Sequence, residues 1–171
     1  MNTKYQSHIP ATFPDASRVW IYQSSREFTS EEILQIEELL VAFKKTWHSH
    51  GEKVKDFAQL FFGRFIILMA DETHIKVGGC STDFLINYIK NLGKDLNTEF
   101  FDRSKLAFII REKVQIVSLD EVNSALEDGF LTAETLYFNN TILTKKDLLN
   151  KWIIPIRESW LAGRINTFTR A

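Results

Sequence analysis

Two short segments of this chain are apolar at every consecutive position. Residues 65–70 (Phe-Ile-Ile-Leu-Met-Ala) and 106–110 (Leu-Ala-Phe-Ile-Ile) contain no polar side chain. Successive side chains of a β-strand point to opposite faces of its sheet, so a strand of this kind has no face suited to water. The pattern therefore predicts a β-sheet that is covered on both faces.

The composition supplies enough apolar material for that cover. The chain has 171 residues, of which 44% are hydrophobic, and it includes 14 Phe and 4 Trp. A chain of this length buries about 70% of the surface that it exposes when unfolded, so it needs neither a disulfide nor a metal to fold. We expect a single domain over residues 1–171.

The order of the predicted elements is typical of one architecture. A strand at 18–23 comes first, followed by a helix that begins at a capping box of Thr29 and Glu32 and stops at Gly51. Paired strands at 54–62 and 64–71, a helix at 82–96 and a strand at 105–111 follow. This β-α-β-β-α-β order is the split βαβ pattern, in which two helices lie on one face of an antiparallel sheet. The sequence therefore predicts an α+β fold with a ferredoxin-like core at 18–111.

Residues 112–171 form the predicted C-terminal extension, a mixture of short strands and helices. Its apolar residues, among them Trp152, Ile154 and Trp160, are candidates to cover the second face of the sheet. The alternative is a second copy of the chain that packs sheet to sheet as a homodimer.

Cys80 is the candidate catalytic residue. It stands just before the predicted helix at 82–96, and the free N–H groups at a helix start favour a thiolate, the nucleophilic form of cysteine. His50 and His74 are candidate bases, and Asp71 and Asp83 are candidate acids. The alternative is that Cys80 is a small buried residue filling a corner, as free cysteines often are.

Five residues are candidate ligand contacts, and they lie in loops or in the aromatic tail. They are Gly78, Gly79, Ser81, Arg103 and Trp160. Asp83 argues against an anion site at the two glycines, because its carboxylate repels negative charge. His48 and His50 form a His-x-His pair, but two further ligands are not evident, so we expect no metal and no cofactor.

Charge, cysteine content and hydropathy exclude several classes of partner. The chain has 21 basic and 22 acidic residues and no basic run longer than two, so no nucleic-acid surface is predicted. The polar start at 1–17 lacks a signal peptide, and the longest nearly apolar run, 60–70, is too short for a membrane span. With its single cysteine, the chain is predicted to be cytoplasmic.

Six segments of the chain carry a resemblance to a known family. They are Arg18-Val-Trp-Ile-Tyr-Gln23, His50-Gly51, Gly79-Cys80-Ser81-Thr82-Asp83, Phe100-Phe101-Asp102-Arg103, Phe138-Asn139-Asn140 and Ser159-Trp160. In these segments the sequence resembles a small bacterial family of the Bacteroidetes type, whose members are often labelled ABC transporter ATPases. The ATPase label requires Gly-x-x-x-x-Gly-Lys-Ser/Thr. Gly93-Lys94 is followed by Asp95 with no glycine five residues before, so the sequence does not support the label. The resemblance implies no catalytic residue.

Two functions follow from these patterns. The first is a non-catalytic binding or assembly protein that takes a small molecule or a protein at an aromatic-lined pocket or interface. The second is a small enzyme with Cys80 as nucleophile. The first is preferred, because no complete set of nucleophile, base and orienting group is visible in the sequence.

Overall fold

The computed structural model describes residues 3–165, which fold into helices and antiparallel sheets. The helices are α1 (Ser30–Thr46), α2 (Gly79–Asp95), α3 (Val122–Glu127), α4 (Lys145–Lys151) and α5 (Ala162–Ile165). The strands are β1 (Arg18–Gln23), β2 (His48–Ser49), β3 (Glu52–Lys53), β4 (Lys55–Phe61), β5 (Phe65–Asp71), β6 (Lys105–Ile110), β7 (Lys113–Ser118), β8 (Leu136–Phe138) and β9 (Ile153–Pro155). The predicted α+β class is confirmed.

The chain divides into two compact units. The N-terminal unit comprises Lys4–Phe101 together with Thr141–Leu149. The C-terminal unit comprises Asp102–Asn140, the described residues from Asn150 onward and Thr3. That the whole chain is one domain stays a prediction. The predicted boundary between the core and the extension, at residues 111 and 112, falls inside the β6–β7 hairpin.

The N-terminal unit is built on a three-stranded antiparallel sheet in the order β1-β5-β4. Every residue of the central strand β5 is buried, as its unbroken apolar sequence predicts. The residues of β5 that pack with the two long helices are Ile66, Leu68 and Ala70, against Ile36, Leu40 and Phe43 of α1 and Leu85, Ile89 and Leu92 of α2. The predicted placement of two helices on one face of this sheet is confirmed.

The other face of β5 is also buried. Phe65, Ile67 and Met69 have no exposed surface, so the chain covers both faces of this strand without a second copy. At the β1 edge, the Val19 amide donates to the Leu143 carbonyl at 2.9 Å. One segment of the predicted extension therefore belongs to the N-terminal unit.

The ferredoxin-like core is not formed. Its last predicted strand, β6, pairs with β7 and β8 in a separate four-stranded sheet of order β7-β6-β8-β9. The two residues that join β6 to β7, Arg111 and Glu112, both have positive φ, as a tight hairpin turn requires. Because this local pairing occupies one side of β6 and β8 occupies the other, no edge of β6 is left for the first sheet.

The C-terminal unit has its own apolar core. Phe108 of β6 and Tyr137 of β8 are part of this core, and their ring centroids are 5.5 Å apart. Helix α3 contributes Val122 to the same core. Trp152 is fully buried against Phe138. Within the described part of the chain, no helix combines the length and apolar character needed to cross a membrane.

Helix α1 begins as predicted and ends early. The Thr29 side chain accepts from the Glu32 amide and the Glu32 carboxylate accepts from the Thr29 amide, so the capping box is confirmed. The helix stops at Thr46, however, and residues 48–53 form the β2–β3 hairpin. Gly51, predicted as the helix stop, serves with His50 in the hairpin turn, both at positive φ.

Candidate functional site

The β2–β3 hairpin lies against the start of α2. The Ser49 hydroxyl donates to the Lys76 carbonyl at 2.7 Å and accepts from the Gly78 amide at 3.2 Å. The His50 ring lies so close that a Cβ on Gly78 would be 3.2 Å from its Nε2. The structure thus brings His50 next to Gly78, two of the residues selected from the sequence.

Cys80 is exposed, in the first turn of α2. The alternative that it is a buried corner residue is therefore wrong. Helix α2 begins three residues earlier than predicted, with Gly78 as its N-cap and Gly79 in its first turn. The Thr82 hydroxyl donates back to the Gly78 carbonyl at 3.0 Å, a bond compatible with a place inside the helix. This earlier start puts the thiol inside the helix rather than before it.

Asp71 has a structural role in this molecule. Its carboxylate accepts from Lys55 Nζ at 2.8 Å and from the Thr73 hydroxyl and amide, and these donors lower its pKa to about 2. A general acid or base needs a free oxygen and a pKa near neutrality, so the predicted role of Asp71 as an acid is not supported. His74 and Asp83 are both exposed.

Ser81 supports the fold from inside α2. It is buried, and its carbonyl accepts from the Trp47 indole N–H at 3.2 Å. This bond ties α2 to the residue that follows α1. The predicted ligand contact at Ser81 would need an accessible side chain, which the structure does not provide.

The remaining predicted contacts lie in the C-terminal unit. Arg103 is exposed in the loop before β6. Trp160 is half-exposed and donates its indole N–H to the Tyr137 hydroxyl at 3.1 Å.

The His-x-His pair lies in the β2–β3 hairpin, where His48 Nδ1 is 2.8 Å from the Thr46 carbonyl oxygen. Among residues 3–165, no three His, Cys, Asp or Glu side chains are grouped as metal ligands.

A cavity of about 470 Å³ opens at the C-terminal end of α2, in the N-terminal unit. Its wall is formed by the last two turns of the helix, by the loop that follows and by one residue after β1. The residues that line it are Ser25, Ile89, Lys90, Gly93, Lys94, Asn97, Thr98, Glu99, Phe100 and Phe101.

The shape of the cavity depends on a close approach at Gly93. The Thr98 amide donates to the Gly93 carbonyl at 2.8 Å, folding the loop back on the helix. A Cβ on Gly93 would lie 2.8 Å from the Thr98 carbonyl oxygen and 3.3 Å from the Phe100 ring. Only glycine therefore allows the loop to lie this close to α2.

Hydroxyl groups tie the cavity loop to the end of β1. The Ser24 and Thr98 hydroxyls are 2.7 Å apart, and the Ser25 amide donates to the Glu99 carbonyl at 2.9 Å. The Glu99 amide in turn donates to the Ser25 hydroxyl at 3.2 Å. The loop is therefore held before any ligand arrives, as a preformed binding site requires.

The cavity combines two lysines and one carboxylate, that of Glu99, with an accessible aromatic ring, so its lining is net positive. Lys90 and Lys94 are one helical turn apart on the same side of α2. Lys90 Nζ lies 6.0 Å from the centre of the Phe101 ring, which packs edge-to-face on Tyr22 and stays 38% exposed. The Glu99 carboxylate accepts from the Phe101 amide at 2.6 Å and so helps position the ring.

Lys90, Lys94 and Thr98 are functional candidates that no pattern in the sequence predicts. Lysines one turn apart on an amphipathic helix are typical of a solvated face, and nothing local marks them as part of a site. The available signal was the unusual Gly93 near a helix end, followed within eight residues by Phe100 and Phe101.

Comparison of the chain with protein-family models, with curated proteins and with solved structures finds no match in any of the three. The resemblance to the bacterial family described above stays a prediction.

Proposed function

We propose that this protein is a non-catalytic binding protein whose ligand site is the cavity at the end of α2. The ligand is a small organic anion with an aromatic or apolar part. The observation that carries the proposal is the arrangement of Lys90, Lys94 and the exposed Phe101 ring around one cavity. A cytoplasmic location, favoured by the lone cysteine, belongs to the same proposal.

The chemistry of the lining matches such a ligand. Two ammonium groups attract a carboxylate, sulfonate or phosphate, while the exposed Phe101 ring offers a face for stacking. The volume of about 470 Å³ lies within the usual range for small-molecule sites. Lys94 also stands in the last turn of α2, where a cation complements the helix dipole, so its charge has a structural use as well.

The test uses 1-anilinonaphthalene-8-sulfonate, a fluorescent aromatic anion, and its uncharged relative N-phenyl-1-naphthylamine. We expect saturable binding of the anion with one site per chain and weaker binding of the neutral probe. In a two-dimensional NMR titration, the shifted amides should lie within residues 89–101. Saturable binding that shifts amides elsewhere would contradict the proposal.

Substitutions at the site separate charge from stacking. The Lys90→Gln/Lys94→Gln variant should weaken anion binding by about 5-fold to 20-fold, because it removes two charges that attract the anion. The effect is limited because both lysines are exposed and solvent screens their charges. Phe101→Ala should weaken both probes alike, because it removes the ring and not the charge. Lys45→Gln changes an exposed helical lysine in α1 and serves as the matched control. Equal effects of the Lys90/Lys94 pair and the control would exclude the site.

A cysteine-dependent enzyme is the second candidate, and one observation favours it. Cys80 is exposed at the start of a 17-residue helix, and His50 lies beside the N-cap Gly78 of the same helix. If Cys80 is a nucleophile, iodoacetamide should modify it near neutral pH far faster than it modifies a free cysteine, and His50→Ala should slow that reaction. If iodoacetamide modifies Cys80 at the rate of a free cysteine, and His50→Ala does not change that rate, the enzyme is excluded and the binding function is the one proposal left.

A further inference from the structure

The strand β7 forms one edge of the sheet in the C-terminal unit. It pairs with β6 on one side, and among residues 3–165 no backbone pairing is found on its other side. Its six residues make it the longer of the two outer strands, since β9 has three. An open strand edge of this length is a template for pairing with another strand.

The register identifies the groups that face outward from this edge. The Leu119 amide donates to the Ser104 carbonyl at 2.8 Å, so Leu119 directs its backbone toward the β6 side. Residues of an antiparallel strand alternate in this respect. Val114, Ile116 and Ser118 therefore direct their N–H and C=O groups away from β6.

One of these three outward residues is already engaged. The Ser118 amide donates to the Glu121 carboxylate at 3.2 Å, which closes the end of the strand. The open stretch is thus Val114–Ile116. Both outward residues are β-branched and only partly exposed, and neither a proline nor a charge interrupts residues 114–117. The edge lacks the usual protection against pairing.

The charges at the two ends of β7 are opposite. Arg111 and Lys113 stand at its start, with Glu112 between them, and Asp120 and Glu121 follow its end. When two identical strands pair antiparallel, the start of one lies beside the end of the other. The cationic end of each copy then meets the acidic end of its neighbour, so this surface is complementary to itself.

We propose that β7 pairs antiparallel with β7 of a second copy of this chain, around a two-fold axis at Gln115. Val114 of each copy then exchanges hydrogen bonds with Ile116 of the other, and Arg111 approaches Asp120. A two-fold axis perpendicular to the sheet keeps the same face of both copies on the same side, so β-branched side chains meet across the interface. The dimer joins two four-stranded sheets into one continuous sheet.

The interface is distinct from the proposed ligand cavity, which is built entirely from the N-terminal unit. It also differs from the sheet-to-sheet homodimer expected from the sequence, because it uses the edge of a sheet and leaves the buried faces of β5 and β6 unchanged. Success or failure of the ligand experiments therefore does not decide the outcome for the dimer.

Sedimentation equilibrium of the full chain at low salt tests the proposal. We expect a reversible monomer–dimer equilibrium that weakens as salt rises, because the end charges are exposed. Val114→Lys and Ile116→Pro should each raise the dimer dissociation constant at least about 10-fold. The Ile116 N–H points away from β6, so proline there removes no bond within the sheet. Val41→Lys, at a half-exposed position of α1, is the matched control.

A charge exchange distinguishes pairing between copies from effects within one copy. Asp120→Arg should weaken the dimer, and adding Arg111→Asp should restore it. Within a single chain these residues lie at opposite ends of β7, about 20 Å apart for a six-residue strand, so the restoration requires a second copy. Hydrogen exchange should also slow at the Val114 and Ile116 amides as protein concentration rises.

Several results would overturn the proposal. They are a monomer at about 1 mM, a dimer that Val41→Lys dissociates and Val114→Lys does not, and concentration-independent protection of the Val114 and Ile116 amides. The last result would mean that the chain itself covers this edge.

Discussion

The carbonyl oxygen of Thr98 occupies the space that a side chain on Gly93 would need. A Cβ at Gly93 would lie 2.8 Å from that oxygen, although Gly93 is within a helix where alanine is intrinsically favoured by about 1 kcal/mol. The loop that encloses the cavity therefore depends on the absence of one methyl group.

Gly93→Ala should consequently destabilise the protein. We expect a loss of about 1–2 kcal/mol in the free energy of unfolding, because the backbone contact at Thr98 costs more than the helix gains. Binding of the anionic probe should weaken in parallel, since the loop must shift. Gly79→Ala, in the same helix with open space around it, is the control and should not destabilise the protein. Chemical denaturation measures both variants.

Asp71→Asn should destabilise the protein at neutral pH and not in strong acid. The native pKa of Asp71, about 2, lies below its unfolded value, so its stabilisation is present above pH 4 and is lost as pH falls toward 2. Lys55 is half-exposed, and we therefore expect only about 1–2 kcal/mol, including the bonds to Thr73. The denaturation curves of wild type and variant should converge near pH 2. Asp15→Asn, an exposed carboxylate, is the control.

Asp56→Asn should have the opposite effect. Burial raises the pKa of Asp56 to about 6, against the attraction of Lys53 and Lys44, and its Oδ2 has no hydrogen-bond partner among the described residues. The native state then binds this proton more tightly than the unfolded state, so the group lowers stability as pH rises from about 4 to 6.

At pH 7–8 the Asp56→Asn variant should be more stable than wild type by roughly 1–2 kcal/mol, a figure reduced for the partial exposure of the group. The gain should disappear below pH 4. Glu37→Gln, on the exposed side of α1, should show no such pH dependence. Thermal unfolding at a series of pH values provides the measurement, and a variant less stable than wild type at pH 8 would contradict the assignment.

Lys145→Met should loosen the N-terminal segment. Lys145 is 5% exposed, and its ammonium group donates to the carbonyls of Phe13 at 2.5 Å and Ala11 at 3.4 Å. Methionine keeps the length of the side chain but removes the donor to the buried Phe13 carbonyl, at a cost of about 1–3 kcal/mol. Limited proteolysis should cut residues 5–15 faster in this variant than in wild type or in Lys45→Met, which alters an exposed lysine.

Local patterns predicted most elements of the N-terminal unit. The capping box at Thr29 and Glu32 depends on residues three apart, and the paired apolar strands around Gly63 depend on a short turn, so both are visible in the sequence. The helix ends differ from those that the sequence predicts. α1 ends before His48 because residues 48–53 form a hairpin, and α2 begins at Gly79 without a side-chain cap.

Neighbouring residues of the same type illustrate what the sequence could not show. Lys145 and Lys146 are adjacent and chemically identical, yet the first is buried and the second exposed. The difference comes from the segment near Phe13, more than a hundred residues away along the chain. The cavity has the same origin, because it requires the loop after α2 to meet Ser24 and Ser25 after β1.

Local sequence patterns are sufficient to predict a strand buried on both faces, as β5 is, and two helices that pack on one of those faces, because hydrophobic periodicity and capping depend on residues a few positions apart. The pairing of β6 in a second sheet rather than in the first depends on contacts between distant parts of the chain. An apolar strand can pair with any exposed partner edge, and its choice depends on which edges the rest of the chain leaves open.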